Sequence, residues 1–350
     1  MNNLYAVIMA GGSGERFWPL STPRRPKQFV KLFGGKTLIA QAAERLEGLV
    51  PPERVLVVTA RSLVAATRRA LPQVPAENVV GEPMRRDTAA AVATACGLVK
   101  RRGGADAVCA ILTADQLMSK PAAFRRILAD AAVAAAKTDA IVTLGVTPTH
   151  PATGFGYVEP GARAKTGTRT PVFEARRFVE KPDAATAKTY VKKGFVWNAG
   201  MFIWRVAAME QALAKHAPAL AILAAAVADA AKPAGVLKKL YPQVPKISVD
   251  YAVMEKAEKV LVAAGDFGWD DVGSWSAIPN HFPADADGNA VAGAATLLDC
   301  SGVSVVGEGA PVALFGVKDL VVVSAKNAVL VCAKERVAEL KKLVARLPVQ

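Results

Sequence analysis

Over its first 146 residues the chain alternates short, almost wholly apolar runs with stretches of helical period, and few folds accommodate that pattern. LYAVIMA, RVLVVTA, NVV, AVCAILTA and AIVTLGV read as strands. Between them, TLIAQAAERLEGL carries apolar residues at positions 38, 39, 42, 46 and 49, the spacing of one helix face. DTAAAVATACGLVKRR offers Asp87 or Thr88 as an N-cap, and SKPAAFRRILADAAVAAAK offers Ser119, with Pro121 in the first turn. Strands apolar along their whole length are buried on both faces. The pattern therefore predicts an α/β fold, a Rossmann-like domain whose mostly parallel central sheet is covered by helices.

Ligands of such sheets bind beyond the carboxyl ends of the strands, so the segments after each strand matter most. GGSGER follows the first strand, GEPMRRDT the third, and DQ, led by Asp115, the fourth; all three are expected along one rim. From residue 154 the segments GFGYVEP, FEARRFVEKPD, FVWNAGMFIWR and VLVAAGDFGWDDVGSW are expected to extend the sheet and wall the same crevice. Alanine-rich helices between Val206 and Asp229 should pack outside. The turn-forming segment NHFPADADGNA marks a boundary, giving a larger domain over 1–285 and a small β-rich one over 286–350. In the latter, ATLLD, VSVVG, PVALFG, LVVVSA and AVLVCA recur every eight to ten residues, closed by a helical tail, KERVAELKKLVARL.

Composition excludes several classes. No apolar run reaches the roughly 18 residues of a membrane span, and no basic region precedes the first strand, so a soluble cytoplasmic protein is expected. The four cysteines, Cys96, Cys109, Cys300 and Cys332, are widely spaced with no C-x-x-C pair, which predicts reduced, buried thiols. A formal charge of +14 invites a nucleic-acid partner. Yet the basic clusters are short (Arg24, Arg25, Lys27 and Lys31; Arg85 and Arg86; Arg176 and Arg177) and aromatics are only 6%, too few for stacking platforms. Small phosphorylated substrates fit this charge better than a polymer.

Two phosphate-binding motifs fail on the opening glycines. A dinucleotide fingerprint needs a third glycine where Phe17 stands, and a Walker A loop ending at Gly35-Lys36-Thr37 needs one at Val30. What remains is a glycine-rich turn whose amides can approach anionic oxygens, followed by Arg16 and Lys27.

The stretch GGSGERFWPLSTPRRPKQF, Gly11 to Phe29, resembles the signature of mannose-1-phosphate guanylyltransferases within the sugar-nucleotidyltransferase superfamily. The resemblance continues in order through GEPMRRDTAAA, TADQ, TGFGYVE, FVEKP, WNAGMFIW, SVDYAVMEK and GWDDVGSW, covering nearly the whole chain. It implies the short, monofunctional bacterial form, with a small β-helix-like domain at its end and a homodimeric state.

The implied reaction is attack of a mannose 1-phosphate oxygen on the α-phosphorus of GTP, yielding GDP-mannose and diphosphate, catalysed by positioning and charge neutralisation. By this resemblance Gly11, Gly12, Ser13 and Gly14 cradle the triphosphate while Arg16 and Lys27 carry its charge. Arg24 and Arg25 either touch pyrophosphate or are simply solvated. Asp115 and Asp271 match the positions that ligate Mg2+, with Asp270 the rival to Asp271 in its motif. Glu82, Asp87 and Thr88 fall at the nucleotide end. Asp87 stands where the family has asparagine and serves the base or, as preferred here, the helix start. Gln116 stands where the family commonly has histidine. For the sugar phosphate, Glu180 is the implied hydroxyl reader and Lys181 the cation, with Gly156, Asn198 and Gly200 at the hexose. Trp197, Phe202 and Trp204 read as core, and His150, His216 and His281 as non-catalytic. Alternatives are transfer with another base or hexose phosphate, and a catalytically silent regulatory relative. The intact set of Arg16, Lys27, Asp115, Lys181 and Asp271 argues against silence.

Overall fold

A computed structural model describes residues 3–12 and 14–347. They group into two compact units: Met1–Gly11, Ala42–Ala114 and Met118–Trp269 form one, and Gly12–Gln41, Asp115–Leu117 and Asp270–Gln350 the other. The two units interleave along the sequence. The glycine turn and its following 30 residues belong with the C-terminal strands.

The first unit is built on a nine-stranded sheet. Its strands are β1 (Leu4–Ala10), β2 (Val55–Ala60), β3 (Val79–Glu82), β4 (Val108–Thr113), β5 (Ile141–Val146), β6 (Gly156–Arg163), β7 (Val172–Val179), β8 (Val196–Arg205) and β9 (Val260–Ala264). They run in the order β3-β2-β1-β4-β8-β5-β9-β7-β6. The first four are parallel, with Val7 opposite Leu56 on one side and Ile111 on the other, so β1 is flanked and covered on every side. That burial is why its sequence shows no polar alternation. Strand β8 lies antiparallel between β4 and β5, joining the parallel set to the later strands and making the sheet mixed. GFGYVEP, FEARRFVEKPD and FVWNAGMFIWR extend the sheet as expected, whereas of VLVAAGDFGWDDVGSW only Val260–Ala264 does.

Helix α1 (Asp87–Gly103) packs tightly on α5 (Pro218–Asp229), because its facing side is almost entirely small. A Cβ at Gly97 would collide with the Ala224 carbonyl and come within 2.8 Å of Val227. Helices α2 (Pro121–Thr138), α3 (Ala184–Lys192), α4 (Val206–His216) and α6 (Pro233–Leu240) complete the cover. Trp197, Phe202 and Trp204 are buried, as their core reading requires. The expected caps differ in detail: α1 begins at Asp87 with Arg86 in the cap position, and Lys120 rather than Ser119 precedes Pro121 at the start of α2. In neither case does the cap residue's side chain bond the helix. The expected helix through Leu49 covers only Leu38–Glu44 and continues as turns.

In the second unit, β10 (Ala290–Ala292), β12 (Ser304–Gly307) and β14 (Leu320–Ser324) stack parallel, and β15 (Val329–Ala333) closes them antiparallel. A second parallel pair, β11 (Ala295–Leu298) with β13 (Val312–Phe315), repeats the rung pattern on another face. Phe17, Leu20, Val30 and Phe33 share one core with Trp275, Ile278, Val306, Val323 and Leu340. The expected helical tail is a 3₁₀ turn, Lys334–Glu339, followed by α7 (Leu340–Val344). Val337 and Leu340, the tail's buried anchors, are three residues apart, a spacing that the tighter winding aligns. Cys96, Cys109 and Cys300 are buried, Cys332 is half-buried, and all four are free thiols, as expected.

Candidate active site

Gly12 and Gly14 both have positive φ, at 102° and 61°, backbone that favours glycine. Gly14 has a second constraint: a Cβ there would lie 2.6 Å from the Lys27 amide nitrogen. Its carbonyl accepts bonds from the Phe17 amide and the Ser21 hydroxyl, which fix the turn. Gly11 and Gly12 have open space where a side chain would stand, leaving room for a ligand to approach the main chain. Ser13 lies outside the described residues.

The turn presses against Lys27, and Lys27 organises the charged groups of this unit. Its buried ammonium donates to the Asp271 main-chain carbonyl at 2.8 Å and reaches the Asp115 carboxylate at 3.4 Å, over the face of Phe17. Asp271 is surrounded by the expected residues. Gln116 Nε2 donates to its Oδ1 at 3.4 Å, and a Cβ on Gly273 would stand 3.0 Å from its Oδ2 and 3.5 Å from the Arg16 guanidinium. Burial raises the Asp271 carboxyl above its ordinary range, Lys27 and Arg16 oppose that, and the neighbouring charge of Asp115 adds to it. Two carboxylates that repel each other beside a cation are a donor set suited to a hard divalent ion that also takes phosphate and water oxygens. Among the described residues no larger group of His, Cys, Asp or Glu could hold a metal alone, so a third ligand from substrate is part of that fit.

Asp270 is engaged elsewhere. Its carboxylate accepts from His281 Nε2 at 2.9 Å and from the Val272 amide at 2.7 Å; although burial alone would raise its pKa, those bonds hold it below the ordinary range. His281 is a structural partner, in keeping with its non-catalytic reading. Arg25 is spoken for by a bidentate pair with Glu308.

The hexose positions come together in the first unit. Gly156 pairs with Asn198 across β6 and β8, and a Cβ at Gly156 would sit 2.5 Å from a Glu180 carboxylate oxygen. Glu180 is in contact with the Lys181 ammonium; burial works against that charge, but the Glu180 bond keeps the lysine above its usual pKa. Asn198 Oδ1 accepts from Thr143 Oγ1 at 2.7 Å and from the Gly200 amide at 3.1 Å, while its Nδ2 donates to Asp250 at 3.3 Å. Asp250 was missed as a site residue, although it stands in the quoted SVDYAVMEK segment. It opens a π-helical turn, Asp250–Met254, and burial, with the charge of Glu180, pushes its pKa to about 6.

A third group surrounds the end of β3. The Tyr241 hydroxyl donates to Glu82, whose carboxyl burial raises to about 7 against that bond. Asp87, at φ 62°, accepts from the Thr88 amide at 2.8 Å, and Thr88 Oγ1 accepts from the Val249 amide at 2.9 Å. Both side chains therefore serve the start of α1 and its anchoring, and Asp87 satisfies a first-turn donor although it is not the cap residue.

Comparison with known proteins identifies the family. A family model described as nucleotidyl transferase matches residues 5–288, and one described as a MannoseP isomerase/GMP-like beta-helix domain matches 293–347. The mannose-1-phosphate guanylyltransferases of Escherichia coli and Klebsiella pneumoniae are each 37% identical over 348 residues, covering 97% of this chain and 73% of theirs. A crystal structure from Thermus thermophilus, described as a mannose-1-phosphate geranyltransferase, is 39% identical with a TM-score of 0.89, covering 98% of this chain and 99% of that one.

Proposed function

The chain belongs to the nucleotidyl transferase family and is an enzyme of the mannose-1-phosphate guanylyltransferase type, and from that premise we propose how its residues divide the work. GTP and α-D-mannose 1-phosphate give GDP-mannose and diphosphate: a phosphate oxygen of the sugar forms a bond to the α-phosphorus, and the bond from that phosphorus to the β-phosphate oxygen breaks. The observation that carries this reading is the single cluster of Arg16, Lys27, Asp115 and Asp271 beside the glycine turn.

Arg16 and Lys27 neutralise the triphosphate, the charge that builds on the leaving diphosphate included, where fixed cations act at no reorganisation cost. The amides of the glycine turn orient the phosphates. Asp115 and Asp271 are the residues that would hold Mg2+, which when bound supplies charge neutralisation and a template for the phosphates. Lys181 neutralises the incoming sugar phosphate, Glu180 reads a hydroxyl, and the Asn198 network fixes the hexose end. Glu82 serves the nucleotide end.

The chain acts as a homodimer through its C-terminal strands, a reading supported by Leu298 and Phe315. They are register partners on one face of β11 and β13, and are 60% and 70% exposed. Its four free cysteines fit the cytoplasm. No helix among the described residues is long and apolar enough to cross a membrane.

The test is diphosphate release over GTP, ATP, UTP and dTTP against mannose 1-phosphate and glucose 1-phosphate. Turnover confined to GTP with mannose 1-phosphate supports the reading. Preference for another pair would move the substrate, and no turnover with any pair would favour a regulatory protein.

A further inference from the structure

The sheet of the first unit is open at β3, its edge strand, and a groove of about 930 Å3 runs along that edge beside α6. Six cations line it, Arg61, Arg68, Arg101, Arg102, Lys232 and Lys238, against one carboxylate, Glu77. Two are tied to the main fold: Arg68 donates to the Ala76 carbonyl at 3.0 Å, and Arg102 to the Asn78 side chain. The side chains of Arg61, Arg101, Lys232 and Lys238 have no hydrogen bond or ion pair among the described residues. What sets them apart is their convergence on one concavity, whereas Lys215, Lys100 and Arg205 elsewhere in this unit pair with Glu258, Glu210 and Asp106. Like charges gathered in one concavity repel one another and raise the local concentration of anions.

The floor is of the opposite character. The half-buried Val64 and Val80 supply it over the buried Leu98 and Leu237, and Gly81 packs so closely on Arg61 and Val64 that a Cβ would lie 2.9 Å from each. An apolar floor under a cationic rim, at a volume within the roughly 300–1,000 Å3 of small-molecule sites, suits a ligand with a flat apolar body and several negative charges. We infer that this groove binds a nucleoside polyphosphate, its phosphates among Arg101, Lys232 and Lys238 and its base on the floor formed by Val64 and Val80. None of the groove's cations belongs to the clusters assigned to turnover, so the two functions are separable by mutation.

ATP is the probe, with binding measured by equilibrium dialysis at low salt. The native chain should bind ATP, and Arg101→Glu combined with Lys238→Glu should weaken it at least about tenfold, or ~1.4 kcal/mol, while diphosphate release is unchanged. Lys27→Met should retain the binding. Tripolyphosphate should bind at least about threefold more weakly than ATP, because it has nothing to lay on the floor. Undiminished binding in the double variant, loss of binding in Lys27→Met, or equal affinity for tripolyphosphate would each overturn the inference. Should the charge-reversed chain fail to fold, Arg101→Gln with Lys238→Gln makes the same comparison.

Discussion

The Lys27 ammonium donates to the main-chain carbonyl of Asp271 at 2.8 Å and lies 3.4 Å from the carboxylate of Asp115, so one buried cation ties together two acids from distant parts of the sequence. Lys27→Met keeps the length of the side chain and removes the charge. It is expected to lower kcat for diphosphate release by about 10²–10³, the usual cost of losing a preorganised electrostatic partner. A pH–rate profile should show the Asp271 limb displaced upward, since Lys27 opposes the burial that raises its pKa.

Gly14→Ala tests the turn. The new methyl would meet the Lys27 amide nitrogen at 2.6 Å in backbone with φ 61°, so the turn and Lys27 must both shift. The variant should lose about 1–3 kcal/mol of stability and more activity than a surface glycine change causes, read by thermal unfolding and initial rates together. Gly11→Ala, with open space at its Cβ, should keep its stability.

Asp270 and Asp271 are neighbours with different duties, and exchanging each for asparagine separates them. Asp271→Asn should abolish turnover at every Mg2+ concentration. Asp270→Asn weakens the bonds from His281 and the Val272 amide, so it should lower the melting temperature while leaving measurable activity. Equal activity losses at equal stability would refute that division.

Much of this organisation is written in the residues, and some is not. The apolar run from Leu4 to Ala10 announces a strand buried on both faces, because nothing polar could be tolerated there. The spacing of Arg16, Lys27, Asp115 and Asp271 says nothing about proximity. They come together because the glycine turn and the C-terminal strands fold as one unit, through long-range packing of Phe17 on Trp275 that no local period encodes. Asp250 stayed hidden for a related reason: a π-helical turn has no sequence signature, and its partner Asn198 is 52 residues away. The helix starts at Asp87, one residue earlier than a cap at that position implies, and the Asp87 side chain bonds the next amide instead of reaching along the turn.

Glu82 gives a pH prediction. Its folded pKa of about 7 lies above the ordinary 4.5, so the folded state holds a proton that the unfolded state has released. Stability from this group is therefore full below pH 4.5 and declines as pH rises toward 7, beyond which the penalty is constant. Glu82→Gln should remove that decline and raise stability at pH 8 relative to the native chain by on the order of 1–3 kcal/mol, with little change at pH 4. Denaturant unfolding at the two pH values measures it.

Phe315→Glu places a charge on the exposed apolar face shared with Leu298. If two chains meet there, sedimentation should show a dimer for the native protein and a monomer for the variant, with each chain still folded. A variant that remains dimeric would locate the contact elsewhere.

The central claim is the identity of the bond that forms. Mannose 1-phosphate labelled with 18O at all four phosphate oxygens, incubated with GTP, Mg2+ and the native chain, reports it directly by mass spectrometry of the products. The account predicts that all four labelled oxygens appear in GDP-mannose, one of them bridging the two phosphorus atoms, and that the released diphosphate carries none. Label in the diphosphate, or consumption of GTP without labelled GDP-mannose, would contradict it.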